Sequence, residues 1–150
     1  MADAHREKGQ GVEEEALLAA GWRAYPRGEG FEGHVGPLHH RRRADGVMVF
    51  GFRCCPHHEN PQGVVHGGML MTFADHVMGA LVWHRIGRKP TATVSLNSDF
   101  LNAVRVGDWV EGTAEIVRQG SSLVFVRGEL SVEGRPVLAA NGIWKVLGAA

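Results

Sequence analysis

The sequence predicts an α+β fold in which one long apolar helix lies across the concave face of a curved antiparallel sheet. Two observations predict it. From about Gly68 to His84, Leu70, Phe73, Ala74, Val77 and Leu81 recur at helical spacing, while Met69, Met71, Met78 and Val82 fill much of the remaining circumference. After this stretch come four long strand candidates whose connections are too short for crossovers, so chain neighbours should pair antiparallel. A helix that apolar must be covered, and a sheet face is the economical cover.

The elements follow in order. Met1 to about Gly11 is polar and mixed in charge and reads as a disordered tail, and Val12 to Ala20 reads as a short helix stopped by Gly21 that caps the domain. Residues 1–29 thus precede a main domain over 30–150. Phe31 to Arg43 and Val47 to Cys55 read as two strands joined at Asp45-Gly46, a strong hairpin signal, and Pro56 to Val65 reads as a loop. Gly87 and Pro90 stop the long helix. The strands Thr91 to Leu101, Trp109 to Arg118, Leu123 to Val132 and Val137 to Leu147 are joined at Val106-Gly107-Asp108, Gln119-Gly120-Ser121 and Glu133-Gly134-Arg135-Pro136, which predicts a meander. In the third of them Val124, Val126, Leu130 and Val132 lie opposite Arg127, Glu129 and Ser131, so one face is packed and one is wetter.

Composition narrows the function. The 150 residues fit one domain with a full core, and 16 basic against 16 acidic side chains leave no general electrostatic reason for a nucleic acid or an anionic membrane as partner. Cys54 and Cys55 are adjacent and form no disulfide framework, which fits a reducing compartment. No stretch has the length of a membrane span or the apolar core of a signal peptide, so a cytoplasmic protein is expected.

The run from His66-Gly67-Gly68 to Asp75 carries the chemistry. A helix start presents N–H groups without intrahelical partners and a partial positive charge, and glycines there leave room for a carbonyl oxygen to reach them. Asp75 adds a base or nucleophile. On so apolar a helix an ionised carboxylate costs several kcal/mol unless hydrogen bonds or paired charges compensate it, which invites a functional explanation. The competing explanation is that Asp75 occupies the helix's one wet face and bonds a neighbour.

The stretch Asn60-Pro61-Gln62-Gly63-Val64-Val65-His66-Gly67-Gly68, then Asp75, then Thr93-Val94-Ser95-Leu96-Asn97, with Gly107-Asp108 and Gln119-Gly120 later, resembles the hotdog-fold acyl-CoA thioesterases of the phenylacetate-pathway (PaaI-like) branch. The similarity runs from about Gly46 to Leu147. It implies that the Gly67 amide binds the thioester carbonyl oxygen and that Asp75 activates water or attacks the carbonyl. Asn60 would help orient the carbonyl-binding end, His66 matches the motif histidine, and Thr93 would position the water where relatives often carry serine. Coenzyme A contacts would fall on Gly68, Leu101, Asn102, Arg105, Arg118, Gly120, Ser121 and Ser122. Coenzyme A is part of the substrate, and no separate cofactor or metal is expected.

Spacing adds a constraint of its own. Gly67 and Asp75 are eight residues apart, about 12 Å along a helix, and one thioester cannot touch both. A dimer in which the helix start of one subunit meets Asp75 of the other is the most direct solution, and the resemblance likewise implies a homodimer, with dimers pairing into a homotetramer. Other signals carry less. His57, His58, His66 and His76 match no zinc signature, and neither cysteine has a dedicated base beside it. Trp83 with Met78 would shape the acyl pocket, whose occupant is a small aromatic or medium-chain group. Two classes of function stay open at this point, a thioester hydrolase and a non-catalytic acyl-CoA binder or sensor, with a hotdog dehydratase more distant. A binder needs the helix start but not the carboxylate.

Overall fold

The computed structural model describes residues 13–26 and 28–148, so the expected tail over Met1 to Gly11 lies outside the described residues. A helical segment α1 covers 13–19. It is followed by β1 (Arg23–Ala24), α2 (Phe31–Val35), β2 (Leu38–Arg42), β3 (Met48–Arg53), a 3-10 turn at Pro56–His58, α3 (Gly67–Arg85), β4 (Thr91–Phe100), β5 (Trp109–Gln119), β6 (Leu123–Val132) and β7 (Arg135–Val146). The seven strands form one antiparallel sheet in the order β1-β2-β3-β5-β6-β7-β4.

The helix is seated by small residues in the sheet. Gly112 of β5 and Gly128 of β6 face α3, and a Cβ on them would come within 2.8 Å of Val77 and Met78 respectively. Side chains of α3 therefore sink into a groove between two neighbouring strands. Phe73, Ala74, Val77, Met78 and Val82 are buried there against Phe50, Phe52, Val110, Val126, Leu130 and Leu138. Full burial of a residue such as Phe73 contributes about 1.5–3 kcal/mol. The helix ends where Gly87 and Arg88 take positive φ values of 74° and 65° and the Arg88 N–H turns back to the Trp83 carbonyl at 2.7 Å.

Three expectations need correction. Phe31 to Arg43 is not one strand: its first part is α2, whose Val35 carbonyl accepts from His58 Nε2 at 3.0 Å and whose Glu32 binds His76 Nδ1 at 2.9 Å. Contacts distant in sequence hold it helical. The C-terminal strands are a meander only from β5 to β7, because β4 leaves its sequence neighbour and pairs with β7, Thr91 opposite Val146 and Phe100 opposite Leu138. The connection over 101–108 crosses to the middle of the sheet past the helix start, with Val104 buried and its carbonyl taking the Val65 N–H at 2.8 Å. Finally, α3 is not wrapped on all sides. Its outward face, from Gly68 through Thr72, Asp75 and His76 to Trp83, stays partly open, and Trp83 is 40% exposed. One long edge of β4 is likewise without a neighbouring strand among the described residues.

Candidate active site

The helix start is organised by His66. As N-cap residue with extended backbone it points Nδ1 at the Gly68 N–H, 2.8 Å away, and so satisfies one of the unpaired donors that every helix start carries. The sequence reading offers both glycine amides to a ligand; the structure spends the Gly68 amide on His66. The Gly67 N–H has no hydrogen-bond partner among the described residues. A Cβ at Gly67 would meet the Phe100 ring at 3.1 Å, so glycine is what lets this ring pack against the helix start. Gly67 and Phe100 line a cleft of about 340 Å³ together with Leu70, Leu101, Asn102 and Val104.

Asn60 shapes the loop leading to that helix start. Its Oδ1 accepts the Gln62 N–H at 2.9 Å and the Val64 N–H at 3.4 Å, and Gly63 completes the turn at φ +76°. The chain then passes through Val65 to His66, whose N–H is held by the His58 carbonyl at 2.8 Å. Asn60 thus acts on the helix start through the backbone.

Asp75 lies on the outward face of α3, two turns on. Thr93 Oγ1 donates to its Oδ1 at 2.8 Å, tying β4 to the helix. A hydroxyl has one hydrogen, so Thr93 can accept from a water but cannot also donate to it. Asp75 lines a cleft of about 460 Å³ whose walls include Tyr25, His76, Gly79, Trp83 and Trp144, and its Oδ2 makes no hydrogen bond among the described residues. Gly79 lets the buried indole of Trp144 approach, since a Cβ there would stand 3.3 Å from its Nε1. Sequence reading missed Tyr25 and Glu32, which reach this cleft from the N-terminal segment. Burial, and then the Glu32 charge, push the Tyr25 hydroxyl up to about 12, so it stays protonated and available as a donor. No local pattern around these two residues marks them.

Within one chain, the Gly67 amide and the Asp75 carboxylate open into different clefts. The residues expected to touch coenzyme A divide in the same way. Leu101, Asn102 and Arg105 follow Phe100 at one end of the sheet, where Asn102 Nδ2 donates to the Pro136 carbonyl at 2.7 Å and the Arg105 N–H to Asp108 at 2.8 Å. Arg118, Gly120, Ser121 and Ser122 form the exposed β5–β6 hairpin, level with Thr91 at the other end, since Leu123 pairs with Lys145 and Thr91 with Val146. The nine steps between Thr91 and Phe100 separate the two groups by about 30 Å. A single chain does not bring them together.

Burial, and then the neighbouring Asp108 charge, push the Cys54 thiol up to about 12, so it is a core group and not a nucleophile. His58 is structural too: Nδ1 accepts the Cys55 N–H at 3.0 Å while Nε2 faces the Val35 carbonyl, which defines a neutral ring.

Residues 62–139, slightly more than half of the chain, match the Thioesterase superfamily. A protein of Pseudomonas aeruginosa provisionally named an esterase is 34% identical over 111 residues, 73% of this chain and 83% of its own. Among solved structures, a Bacillus halodurans protein crystallised with CoA is 27% identical and superposes with a TM-score of 0.69 over 74% of each chain. A Ralstonia eutropha protein described as phenylacetic acid degradation-related is 29% identical, with a TM-score of 0.71 over 81% of this chain and 92% of that one.

Proposed function

Because the chain belongs to the hotdog-fold thioesterase superfamily, we propose that it hydrolyses a small aromatic or medium-chain acyl-CoA to the free acid and CoA in a homodimer whose two subunits share each site. The observation that carries this reading is the Asp75 carboxylate, oriented by Thr93 and open toward an aromatic-walled cleft, on the same helix whose first amide is unspent.

The thioester carbonyl oxygen docks on the Gly67 N–H, and the helix dipole stabilises the charge that develops there. Asp75 of the partner subunit takes a proton from the attacking water, or attacks the carbonyl carbon itself to form a mixed anhydride that water then cleaves to the free acid; in either route the C–S bond breaks and CoA thiolate departs. A binder without hydrolysis has no use for this carboxylate or for the hydroxyl that aims it.

The topology supports the shared arrangement. Phe100 lies at Gly67 and Thr93 at Asp75, so the two halves of the site sit at opposite ends of β4. Pairing the free β4 edge with that of a second copy, antiparallel about a two-fold axis, lays the Phe100 end of one strand beside the Thr93 end of the other. The same operation carries the 118–122 hairpin of one subunit toward Asn102 and Arg105 of its partner. Val94, Phe100 and Trp83, exposed by 57%, 53% and 40%, lie on the surfaces this pairing covers.

The test is release of free thiol from a panel of aryl- and alkyl-CoA esters. Turnover of at least one class with saturation is expected. Tight binding of the same esters without thiol release would instead establish the binder.

A further inference from the structure

His84 lines both the cleft at Asp75 and a second cleft of about 430 Å³ between α3 and the β2–β3 hairpin. Phe50 stands between them, its ring against Tyr25 and His76 of the first cleft, at 6.4 and 5.8 Å between centroids, while it lines the second. Val47, Met48, Leu81 and Ala114 make the walls of the second cleft apolar, and its charged side chains are Arg42 and Arg85.

Among the described residues, those two guanidinium groups have no ion-pair partner. Their neighbours Arg41 and Arg43 pair with Glu111 and Asp45. Arg42 instead gives one N–H to the Gly46 carbonyl at 2.8 Å, and among the described residues neither Arg42 nor Arg85 has a carboxylate within ion-pair distance. No acidic side chain lines this cleft, whereas the first holds Asp75 and Glu32. The sign of charge therefore changes from one cleft to its neighbour. Ten residues of helix, about 15 Å, separate Asp75 from Arg85.

A ligand that spans the two adjoining clefts is neutral where it meets Asp75, apolar in its middle, and anionic at its far end. We propose that the enzyme selects acyl groups ending in a free carboxylate, with the thioester at Asp75 and the distal carboxylate held by Arg42 and Arg85. This rests on the hydrolase reading above. Guanidinium–carboxylate pairing gives such an acyl group an advantage that a methyl-terminated chain of equal length cannot match.

Sebacoyl-CoA and decanoyl-CoA have the same carbon chain and differ in that terminal group. Their kcat/KM ratio is to be measured in the wild type, in Arg42→Gln/Arg85→Gln, and in Arg42→Lys/Arg85→Lys. The ratio of sebacoyl to decanoyl should fall at least tenfold in the glutamine variant, mainly through KM, and should be largely kept by the lysine variant. An equal ratio in the wild type and the glutamine variant would overturn the proposal while leaving the hydrolase reading intact. If neither ester is hydrolysed, the hydrolase reading is judged by the wider ester panel, and equilibrium binding of the same two esters decides this one: tighter sebacoyl-CoA binding lost in the glutamine variant supports it, and equal affinities in both proteins overturn it.

Discussion

Thr93 on β4 donates its hydroxyl hydrogen to Asp75 on α3 across 2.8 Å. That one bond fixes which carboxylate oxygen is occupied and which is free to act. Asp75→Asn keeps the volume but loses the base, and should lower thioester turnover at least about a hundredfold with the dimer still folded. Thr93→Val removes the donor and keeps the shape, so a smaller fall of about tenfold in kcat is expected, and Thr93→Ser should recover most of it. Unchanged kcat in Asp75→Asn would remove the carboxylate from the mechanism.

Gly67 offers a way to delete an amide hydrogen without unwinding the helix. It is the first residue of α3, where proline is tolerated, and the preceding His66 at φ −61° and ψ 133° already has the extended backbone that a following proline demands. Gly67→Pro should keep the helix and abolish turnover. The proline Cβ would also meet the Phe100 ring at 3.1 Å, so Gly67→Ala, which adds that carbon but keeps the N–H, should retain more activity. If each site draws on two subunits, heterodimers of Gly67→Pro with Asp75→Asn contain one intact site and should regain up to about half the wild-type activity per dimer. Folded heterodimers with no activity would separate the two groups.

The residues that sequence analysis singled out and those it overlooked differ in what holds them in place. Helix α3 and strands β5 to β7 obey their own periodicity, and the His66-Gly67-Gly68 start with Asp75 downstream lies within one element, so local pattern is enough. The position of β4 is different: its ten residues read as a strand, but nothing in them says that β7 and not β5 is the neighbour. Helix α2 and Tyr25 depend on His58, His76 and Phe50, each far away in sequence. Two small pieces of chain held by distant partners leave no periodic trace, and they form the outer wall of the cleft.

The cap at His66 separates a structural role from a chemical one. Its ring nitrogen holds the Gly68 amide at 2.8 Å, so His66→Ala should lower unfolding free energy by about 0.5–2 kcal/mol in urea denaturation. Asparagine is a strong N-cap, and His66→Asn should restore that loss. If stability returns but turnover does not, the imidazole contributes beyond capping.

His58 should make stability depend on pH. Burial, followed by the charge of neighbouring His57, lowers its proton affinity below the ordinary value of 6.5, although the Val35 carbonyl partly opposes this. The unfolded chain therefore binds more protons between the two values, and unfolding free energy rises with pH there. The contribution is complete above about pH 6.5 and is lost as pH falls through the folded-state value, at no more than about 1.4 kcal/mol per pH unit for one proton. Urea unfolding of the wild type at pH 7.5 and at pH 5.5 should show the decline. His58→Gln is less stable throughout, because the Cys55 N–H and the Val35 carbonyl lose their shared partner. Its slope over the same interval should nevertheless be shallower. Parallel slopes in the two proteins would mean that His58 is protonated equally in the folded and unfolded chains, which two hydrogen bonds to a neutral ring do not allow.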